Sequence, residues 1–558
     1  MNHIKDRLQI LYPDQFEEIA LKVDQLIEEW KPRMKQGYAA VNQNDVMLIA
    51  YGDSIRCAGE VPLHTLKGFL DEELFGYVSA LHLLPMFPYT SDDGFSVSDF
   101  RSINPELGDW EDIEELGKNY DLMFDAVINH VSKSSDYFKG FLMDESEYRN
   151  FFICAEPNKD YSKVIRPRAL PLFTEFETKS GKKQIWTTFS EDQIDLNYKE
   201  PAVLLEILDI LLLYASRGAR FLRFDAIGFA WKEDNSTCMH LPQVHELVKL
   251  MREVLESCVE GCTIITETNV PHKDNISYFG NGYDEAGLVY QFPLPPLTLY
   301  SFLSGSAKEL AAWADSLEDT TQATTYFNFL ASHDGIGMRP VEDLLNAAQR
   351  EQMVQEVLDR GGQIGYRSLS DGSQVPYELN INYMDAIAGD EADEDRMVQK
   401  FMCSQNILLT VVGMPGIYYH SILGSRNCYQ YYEESGIKRR INREKLDATV
   451  LRAELSTPGS LRRKVIDRYK EILTMRKRYS AFAPTSHQRV QFLDERVFSY
   501  LREGISETLL VLNNVSKDRI ELNTKFRGTE LFTQKKINGS IQLNPYEYLW
   551  VLIDESEQ

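Results

Sequence analysis

Residues 220–229 read Arg220-Phe221-Leu222-Arg223-Phe224-Asp225-Ala226-Ile227-Gly228-Phe229, an apolar run interrupted by an arginine and followed by an aspartate. This pattern is typical of a buried strand in a parallel sheet, where charged residues appear as the strand reaches its carboxyl end. Arg223 and Asp225 are two positions apart, so on a strand their side chains project to the same face. A guanidinium beside a carboxylate lowers the pKa of that carboxylate and keeps it ionised, as a nucleophile requires. The alternative is a structural ion pair, and this stretch alone favours neither interpretation.

Short apolar runs of the same kind recur along the chain, and helix-like amphipathic segments separate them. The predicted strands are Val46–Tyr51, Val78–Pro85, Leu122–Asn129, Ala219–Asp225, Cys262–Glu267, Leu288–Phe292, Tyr326–His333 and Leu408–Tyr419. Strands that alternate with helices pair in parallel, and this number of units predicts a closed (β/α)8 TIM barrel of the α/β class. A doubly wound open sheet is the alternative, although no glycine-rich turn follows the first run.

The spacing of these units also predicts the domain organisation. Two connections are too long for ordinary loops of a barrel, and each follows a strand, so we expect inserted subdomains at residues 132–200 and 335–394. The barrel then comprises residues 1–131, 201–334 and 395–477. Beyond it the pattern changes to period-two alternation, as in Thr508-Leu-Leu-Val-Leu, with turn residues between the runs. Residues 478–558 are therefore predicted to form a C-terminal antiparallel β domain.

Composition narrows the class of function. The formal net charge of −26 argues against a nucleic-acid partner, which would need a broad basic surface. The chain has no signal-like amino-terminal segment and no apolar run of the roughly 18 residues needed to cross a bilayer, so we expect no membrane partner. The seven cysteines are scattered, without the spacing of a zinc site, and are expected to be reduced thiols of a cytoplasmic protein.

Residues at the carboxyl ends of barrel strands form the active site of this fold. Here those positions hold Asp92-Asp93, Asn129-His130, Arg223 with Asp225, Glu267 with Asn269, and His333-Asp334. Acids and imidazoles with almost no lysine suit a neutral substrate rich in hydroxyl groups.

Three of these acids, Asp225, Glu267 and Asp334, meet at one barrel mouth and cannot be equally ionised, because neighbouring like charges raise a pKa. Asp225, beside Arg223, is the expected nucleophile and Glu267 the proton-bearing general acid, as in a retaining glycoside-cleaving enzyme. The alternative is that each carboxylate caps a helix or forms a structural ion pair.

The set Asp125…Asn129-His130, Arg223-Phe-Asp225, Glu267 and His333-Asp334 resembles the four short sequence regions of the α-amylase superfamily. Further motifs resemble its sucrose-phosphorylase subfamily: His82-Leu-Leu-Pro-Met-Phe-Pro, Ser91-Asp-Asp-Gly-Phe-Ser-Val, Arg166-Pro-Arg168, Leu294-Pro-Pro and Arg440-Ile-Asn-Arg443. The resemblance covers the barrel and the β tail, which is essentially the whole chain.

The resemblance implies a role for each residue. Asp225 would be the nucleophile, Glu267 the acid/base and Asp334 the carboxylate that binds the 2- and 3-hydroxyls of glucose. The remaining glucose contacts would come from Asp93, His130, Phe189, Gln193, Arg223, His333 and Arg439. Arg168 would bind phosphate, because bidentate arginine suits that anion. The implied reaction is double displacement with inorganic phosphate as co-substrate, which gives α-glucose 1-phosphate without a cofactor.

The resemblance also bears on metal binding and assembly. Many amylases hold calcium near the residue that corresponds to Asn129, but sucrose-phosphorylase-like members do without it, and we predict no metal. A homodimer is left open.

The sequence differs from the sucrose-phosphorylase pattern at positions that, by the resemblance, face the leaving group of the substrate. Asn269 stands where sucrose phosphorylases tend to have histidine, and Glu378 follows Tyr377 where they tend to have glutamine. The loop after the eighth strand carries Arg426, a candidate for binding a glycerate carboxylate. These differences favour glucosylglycerate or glucosylglycerol as substrate over sucrose or sucrose 6-phosphate. An α-glucosidase or transglucosylase, and a non-catalytic barrel, are the remaining alternatives.

Overall fold

The computed structural model describes residues 3–35, 37–167, 170–368 and 373–554. Eight parallel strands close into a barrel, as predicted. They are β1 (Met47–Ala50), β2 (Ala80–Leu83), β3 (Asp121–Ala126), β4 (Ala219–Phe224), β5 (Thr263–Thr266), β6 (Leu288–Tyr290), β7 (Thr325–Asn328) and β8 (Met414–Tyr418). Closure is visible at β1, where Met47 pairs with Ala80 of β2 on one side and with Gly416 of β8 on the other.

One predicted strand, Leu408–Tyr419, is wrong over its first half. Leu408, Leu409 and Thr410 end the helix Glu394–Thr410, and β8 begins only at Met414. All three residues are buried, and a fully buried helix end has the same apolar composition as a buried strand.

Helices surround the barrel and fill the inserted segments. Those packed around the strands are His3–Leu11, Phe16–Trp30, Pro62–Phe69, Trp110–Leu116, Pro201–Ser216, Pro242–Cys258, His272–Ile276, Leu294–Ser304, Lys308–Asp315, Glu394–Thr410, Tyr419–Ile422, Ala448–Ser456 and Leu461–Arg476. Local sequence sets several starts: Asp109 accepts hydrogen bonds from the Glu111 and Asp112 amides, and Pro201 occupies the first turn of its helix. Along the described ranges, no helix is both long and apolar enough to cross a bilayer.

The two long connections contain secondary structure of their own. The first, after β3, has the helix Asp136–Leu142, the hairpin Phe173–Thr178 with Gly181–Trp186, and a short pairing of His130–Val131 with Ile194–Asp195. The second, after β7, has the strands Ile336–Gly337, Gln363–Ser368 and Gln374–Asn380 and the helices Ala347–Asp359 and Tyr383–Ala388. Both connections follow carboxyl ends of strands, so they lie over the barrel mouth.

An antiparallel sheet of six strands follows the barrel. Its strands are β9 (His487–Asp494), β10 (Val497–Glu503), β11 (Thr508–Asn514), β12 (Ile520–Glu530), β13 (Lys536–Leu543) and β14 (Tyr548–Ile553), in the order β9-β10-β11-β14-β12-β13. This sheet confirms the predicted C-terminal β architecture.

Two buried arginines bind backbone carbonyls where the barrel meets this sheet, and Arg502 itself belongs to β10. Arg476 donates to the carbonyls of Leu409 and Phe482 at 2.9 and 2.8 Å and to that of Gln43. Arg502 donates to the carbonyls of Thr410 and Ala483. Burial and, to a smaller extent, the neighbouring Arg502 together lower the pKa of Arg476 to about 9. The free carbonyls at the end of Glu394–Thr410 thus find their donors in these two side chains.

Replacing Arg476 with methionine should lower the free energy of unfolding by about 3 kcal/mol, because several buried carbonyls lose their donor. Urea denaturation of Arg476→Met and of Arg468→Met measures the difference. Arg468 lies on the same helix with its side chain 59% exposed, so its loss should cost little. Equal midpoints for the two variants would contradict the assigned role of Arg476.

Candidate active site

A cavity at the carboxyl end of the barrel collects most of the predicted site residues. Its walls include Asp92, Phe95, His130, Phe189, Gln193, Arg223, Asp225, Glu267, Asn269, His333, Asp334, Tyr377, Glu378 and Arg439. They come from different strand ends and from both inserted segments. The three carboxylates singled out from sequence therefore share one cavity.

Asp225 lies directly after β4 and is held by Arg223. The Arg223 Nη1 donates to Asp225 Oδ1 at 2.7 Å and also to Asp125, while its Nε donates to the Tyr290 hydroxyl at 3.1 Å. His82 contacts the other oxygen of Asp125 at 2.7 Å. Burial raises the pKa of Asp225, and the Arg223 guanidinium offsets part of that effect. We expected the guanidinium to dominate, but the fully enclosed position outweighs it.

Glu267 follows β5 and lines the same cavity. Its Oε2 accepts the Ala226 amide at 3.1 Å, a contact made possible by the left-handed backbone of Ala226 (φ 50°). The pKa of Glu267 is raised to about 7, chiefly by burial; Arg223 opposes this rise, and the nearby Asp225 and Asp334 contribute to it. A carboxyl group with this pKa carries a proton near neutral pH and can donate it to a leaving oxygen.

Asp334, unlike Glu267, is surrounded by positively charged side chains. Arg439 Nη1 lies 2.6 Å from Asp334 Oδ1, and Arg443 Nη2 is 3.8 Å from the same atom. Burial alone would raise the pKa of Asp334, but Arg439, His333 and Arg443 together hold it well below its usual range. One cavity therefore contains a protonated acid and a firmly ionised carboxylate, the division that glycoside cleavage needs.

The residues expected around glucose converge on Phe95. His130 Nε2 lies 2.9 Å from the Phe95 carbonyl, and Gln193 Nε2 donates to that carbonyl at 3.0 Å. His333 stacks on the Phe95 ring with centroids 4.8 Å apart, and burial lowers the pKa of His333 to about 3, so its imidazole is neutral. Phe189 packs beside His130 with centroids 5.3 Å apart.

Phe95 itself was not among the predicted site residues. Its ring lies under the Arg223 guanidinium as well, 5.6 Å from the centroid. The signal was present in the Asp-Asp-Gly-Phe turn after the second strand, since an aromatic residue at a barrel mouth offers a face for a sugar ring.

The structure places Asp93 elsewhere than predicted. Its carboxylate accepts from Arg440 at 2.8 Å and from Arg443 at 2.6 Å and lines a second cavity, whereas its neighbour Asp92 lines the candidate active site. Both aspartates have positive φ (54° and 49°), so this turn has no strand-like alternation from which to choose between them. We therefore reassign the contact predicted for Asp93 to Asp92.

Asp93, Arg440 and Arg443 together form a wall between the two cavities, which we call the arginine wall. Arg443 reaches both sides, since one of its nitrogens contacts Asp93 and another faces Asp334. Burial opposes the charge of Asp93, but Arg440 and Arg443 lower its pKa to about 2, so the wall stays ionised at neutral pH.

Three of the five residues predicted to bind the phosphate or the acceptor lie at the cavity. Asn269, Tyr377 and Glu378 line the cavity. Glu378 is bound by Arg439 at 2.9 Å and by the Gly335 amide at 3.0 Å, so its charge is compensated. The Asn269 Oδ1 is buried without a hydrogen-bond partner among the described residues, and Gly337 leaves space beside it, since a Cβ there would lie 3.2 Å from the Asn269 amide nitrogen.

Arg426 is not at the cavity, and Arg168 lies outside the described residues. The Nε of Arg426 donates to Asp385 Oδ1 at 2.6 Å, and its Nη2 lies 2.5 Å from the same oxygen. Asp385 belongs to the buried helix Tyr383–Ala388, so it holds Arg426 away from the site. The expectation that Arg426 binds a glycerate carboxylate is wrong for this conformation, because a loop arginine pairs with the first buried acid it reaches.

Asn129, the residue linked to calcium in the sequence comparison, does not face an open metal site. Its Oδ1 accepts a hydrogen bond from the Lys232 ammonium at 3.1 Å. No group of three or more histidine, cysteine, aspartate or glutamate side chains in the described ranges is arranged to hold a metal.

Comparison with known proteins agrees with this geometry. Residues 75–355 match the family model described as the catalytic domain of α-amylase. The chain is 43% identical over 551 residues to a glucosylglycerate phosphorylase of Allomeiothermus silvanus, with 98% of both chains covered. A sucrose phosphorylase of Streptococcus mutans is more distant, at 28% identity over 453 residues, 79% of this chain and 88% of the relative. A crystal structure of sucrose 6F-phosphate phosphorylase from Thermoanaerobacter thermosaccharolyticum has the same fold, with a TM-score of 0.75 at 22% identity over 90% of this chain and 98% of that one.

Proposed function

Since the chain belongs to the α-amylase family, and within it is an enzyme similar to phosphorylases of small α-glucosides, we propose that it cleaves glucosylglycerate with inorganic phosphate. The products are α-glucose 1-phosphate and glycerate, and the reaction is reversible. The observation that carries this proposal is the 43% identity over 98% of both chains to a glucosylglycerate phosphorylase.

The first step transfers glucose to the protein. Asp225 attacks the anomeric carbon, the bond to the glycerate oxygen breaks, and Glu267 gives its proton to that oxygen. The transition state resembles an oxocarbenium ion, which the ionised Asp334 stabilises through hydrogen bonds to the ring hydroxyls. A β-glucosyl ester of Asp225 results, and Glu267 is left as a carboxylate.

The second step returns glucose to phosphate. A phosphate oxygen attacks from the face that glycerate has left, the ester bond breaks, and Glu267 accepts the proton of the attacking oxygen. Two inversions retain the α configuration. We assign phosphate binding to Arg168 and expect no cofactor, and we expect the protein to act in the cytoplasm.

The acceptor end of the cavity supports an acid rather than fructose. The side-chain amide oxygen of Asn269 has no hydrogen-bond partner among the described residues, so it can accept a hydrogen bond from a hydroxyl group of the substrate. The amide nitrogen of Asn269 can donate a hydrogen bond to a carboxylate. Glu378 would repel an anionic leaving group, but the Gly335 amide and Arg439, which Glu378 shares with Asp334, reduce that repulsion.

Assays with glucosylglycerate, glucosylglycerol, sucrose and sucrose 6-phosphate, each with and without phosphate, test the proposal. We expect glucose 1-phosphate only when phosphate is present, and kcat/KM for glucosylglycerate at least about tenfold above the others. Equal release of glucose without phosphate would instead identify an α-glucosidase or transglucosylase. Sucrose or its phosphate as the better substrate would overturn the acceptor assignment alone.

A further inference from the structure

One buried carboxylate of the first inserted segment, that of Asp192, lies among hydroxyl groups. Asp192 is only 7% exposed. Four hydroxyls lie within 3.3 Å of its carboxylate, and they belong to Thr90 (2.6 Å), Ser91 (2.5 Å), Ser96 (3.0 Å) and Ser132 (3.3 Å). We call these four side chains the hydroxyl cluster.

The charge of Asp192 is held by this cluster. In the described part of the chain, no lysine, arginine or histidine forms an ion pair with Asp192, and Lys133 pairs instead with Glu191 at 3.6 Å. Burial alone would raise the pKa of Asp192, but hydroxyls of the cluster, and then Lys133, hold that pKa below its usual range. A buried carboxylate is costly unless its oxygens are hydrogen-bonded, so Asp192 depends on the hydroxyl cluster for its place in the fold.

The hydroxyl cluster brackets the turn after β2, whose backbone is strained. Asp92 and Asp93 in this turn have positive φ values of 54° and 49°. Left-handed backbone is unfavourable for a residue with a side chain and persists only where surrounding contacts enforce it. Ser91 precedes the two aspartates and Ser96 follows them, so the carboxylate of Asp192 holds the turn from both ends.

The same contacts adjoin the glucose end of the cavity. Asp192 precedes Gln193, whose Nε2 donates to the Phe95 carbonyl at 3.0 Å and to Asp92 Oδ2 at 3.4 Å. Asp92 and Phe95 are in turn the direct chain neighbours of two cluster members, Ser91 and Ser96. Asp192 therefore sets the position of two facing parts of this site, and displacements of about 1 Å in an active site can cost 10²-fold in rate.

We propose that Asp192 is a positioning residue for the glucose site, because its carboxylate clamps the strained turn after β2 and ties that turn to Gln193. It touches none of the reacting atoms. The kinetic effect of Asp192 rests on the proposed function, whereas its effect on the turn does not depend on any substrate.

Hydrogen exchange tests the clamp without a substrate. In Asp192→Ala, we expect the amides of residues 90–96 to exchange at least about tenfold faster, while those of the β9–β14 sheet stay unchanged. Glu191→Ala is the matched control, since Glu191 is the preceding acid, pairs with Lys133 and has a side chain that is 73% exposed. Asp192→Asn keeps the shape and one acceptor oxygen, so its exchange should lie between Asp192→Ala and wild type.

Deoxygenated donors test the positioning. Three analogues of α-glucosyl fluoride, lacking the 3-, 4- or 6-hydroxyl, are first compared in Asp92→Ala. The analogue whose kcat/KM this substitution leaves unchanged lacks the hydroxyl that Asp92 binds. In Asp192→Ala, the preference for α-glucosyl fluoride over that analogue should fall at least about tenfold, because Asp92 is no longer held in place. A general loss of active protein would lower kcat/KM for both donors by the same factor.

A double-mutant cycle assigns the effect to the hydroxyl cluster. Ser91→Ala and Ser96→Ala should each reduce the donor preference in the wild-type background. Combined with Asp192→Ala, they should cause little further loss, because their hydroxyls then have no carboxylate to bind. If Asp192→Ala is poorly folded, the two serine variants and Asp192→Asn supply the same exchange and donor comparisons.

The proposal is overturned if Asp192→Ala exchanges and discriminates between donors as Glu191→Ala does. Additive effects of the serine and aspartate substitutions would also overturn it. If the proposed function is wrong, the donor preferences will not follow Asp92, but the faster exchange of residues 90–96 will remain.

Discussion

Replacement of Asp225 by asparagine should abolish turnover, with kcat/KM reduced by about 10⁵-fold. The amide has the same shape but cannot form the glucosyl ester, and we expect neither Glu267, which carries a proton, nor Asp334, which is bound by Arg439, to replace Asp225. Phosphate release from glucose 1-phosphate in the presence of glycerate measures the loss. The variant should also fail with α-glucosyl fluoride, whose leaving group needs little assistance.

Thermal stability is the control for Asp225→Asn, because a loss of activity must not result from unfolding of the variant. Burial already raises the pKa of Asp225, so the neutral amide should be accommodated with a Tm within a few degrees of wild type. Residual activity above about 1% of wild type, in a variant shown by mass spectrometry to be free of deamidation, would contradict the role of Asp225 as nucleophile.

Glu267→Gln should lose about 10³-fold in kcat/KM for the natural glucoside but less than tenfold for α-glucosyl fluoride, because only the former needs a proton on its leaving group. The pH dependence of kcat/KM for the wild-type protein should also reveal the titration of Glu267. With the pKa of Glu267 raised to about 7, the protonated form is complete below that pH and falls tenfold per unit above it. The kcat/KM for the glucoside should decline accordingly.

Two comparisons make the Glu267 experiment specific. The alkaline decline should disappear in Glu267→Gln and should be weak for wild type with glucosyl fluoride. In addition, Glu267→Gln treated with glucosyl fluoride in the absence of phosphate should accumulate protein carrying one glucosyl group on Asp225. An alkaline decline of equal slope with both donors would assign it to another group.

The fold could be predicted because each barrel strand is buried on both faces and therefore coincides with an apolar run of the sequence. The exception, Leu408–Thr410, shows the limit of that signal: burial alone dictates apolar residues, and the neighbouring helix is as buried as the strand. The only local signal of the change from helix to β8 is Gly413, which lies between them with a φ of 124°.

Site residues that follow strands could be predicted from the sequence, whereas the side-chain directions of site residues on turns could not. Asp225, Glu267 and Asp334 follow strands whose positions were recognisable, and the barrel geometry then brings them together. Asp93 and Arg426 lie on turns, where the direction of a side chain depends on φ values and on distant partners such as Arg440 and Asp385. The direction of the pKa shift of Asp225 could not be predicted from the local sequence either, because the burial that raises this pKa depends on the whole barrel.

The arginine wall has a consequence for the order of events. The arginine wall separates the candidate active site from the second cavity and stays ionised, so we expect a sugar in the proposed glucose site to have no exit on that side. Acceptor and phosphate must then use the same side of the anomeric carbon, near Glu267, one after the other. Glycerate has to depart before phosphate can enter, which predicts parallel double-reciprocal plots for the two substrates and direct competition between glycerate and phosphate for the glucosylated protein.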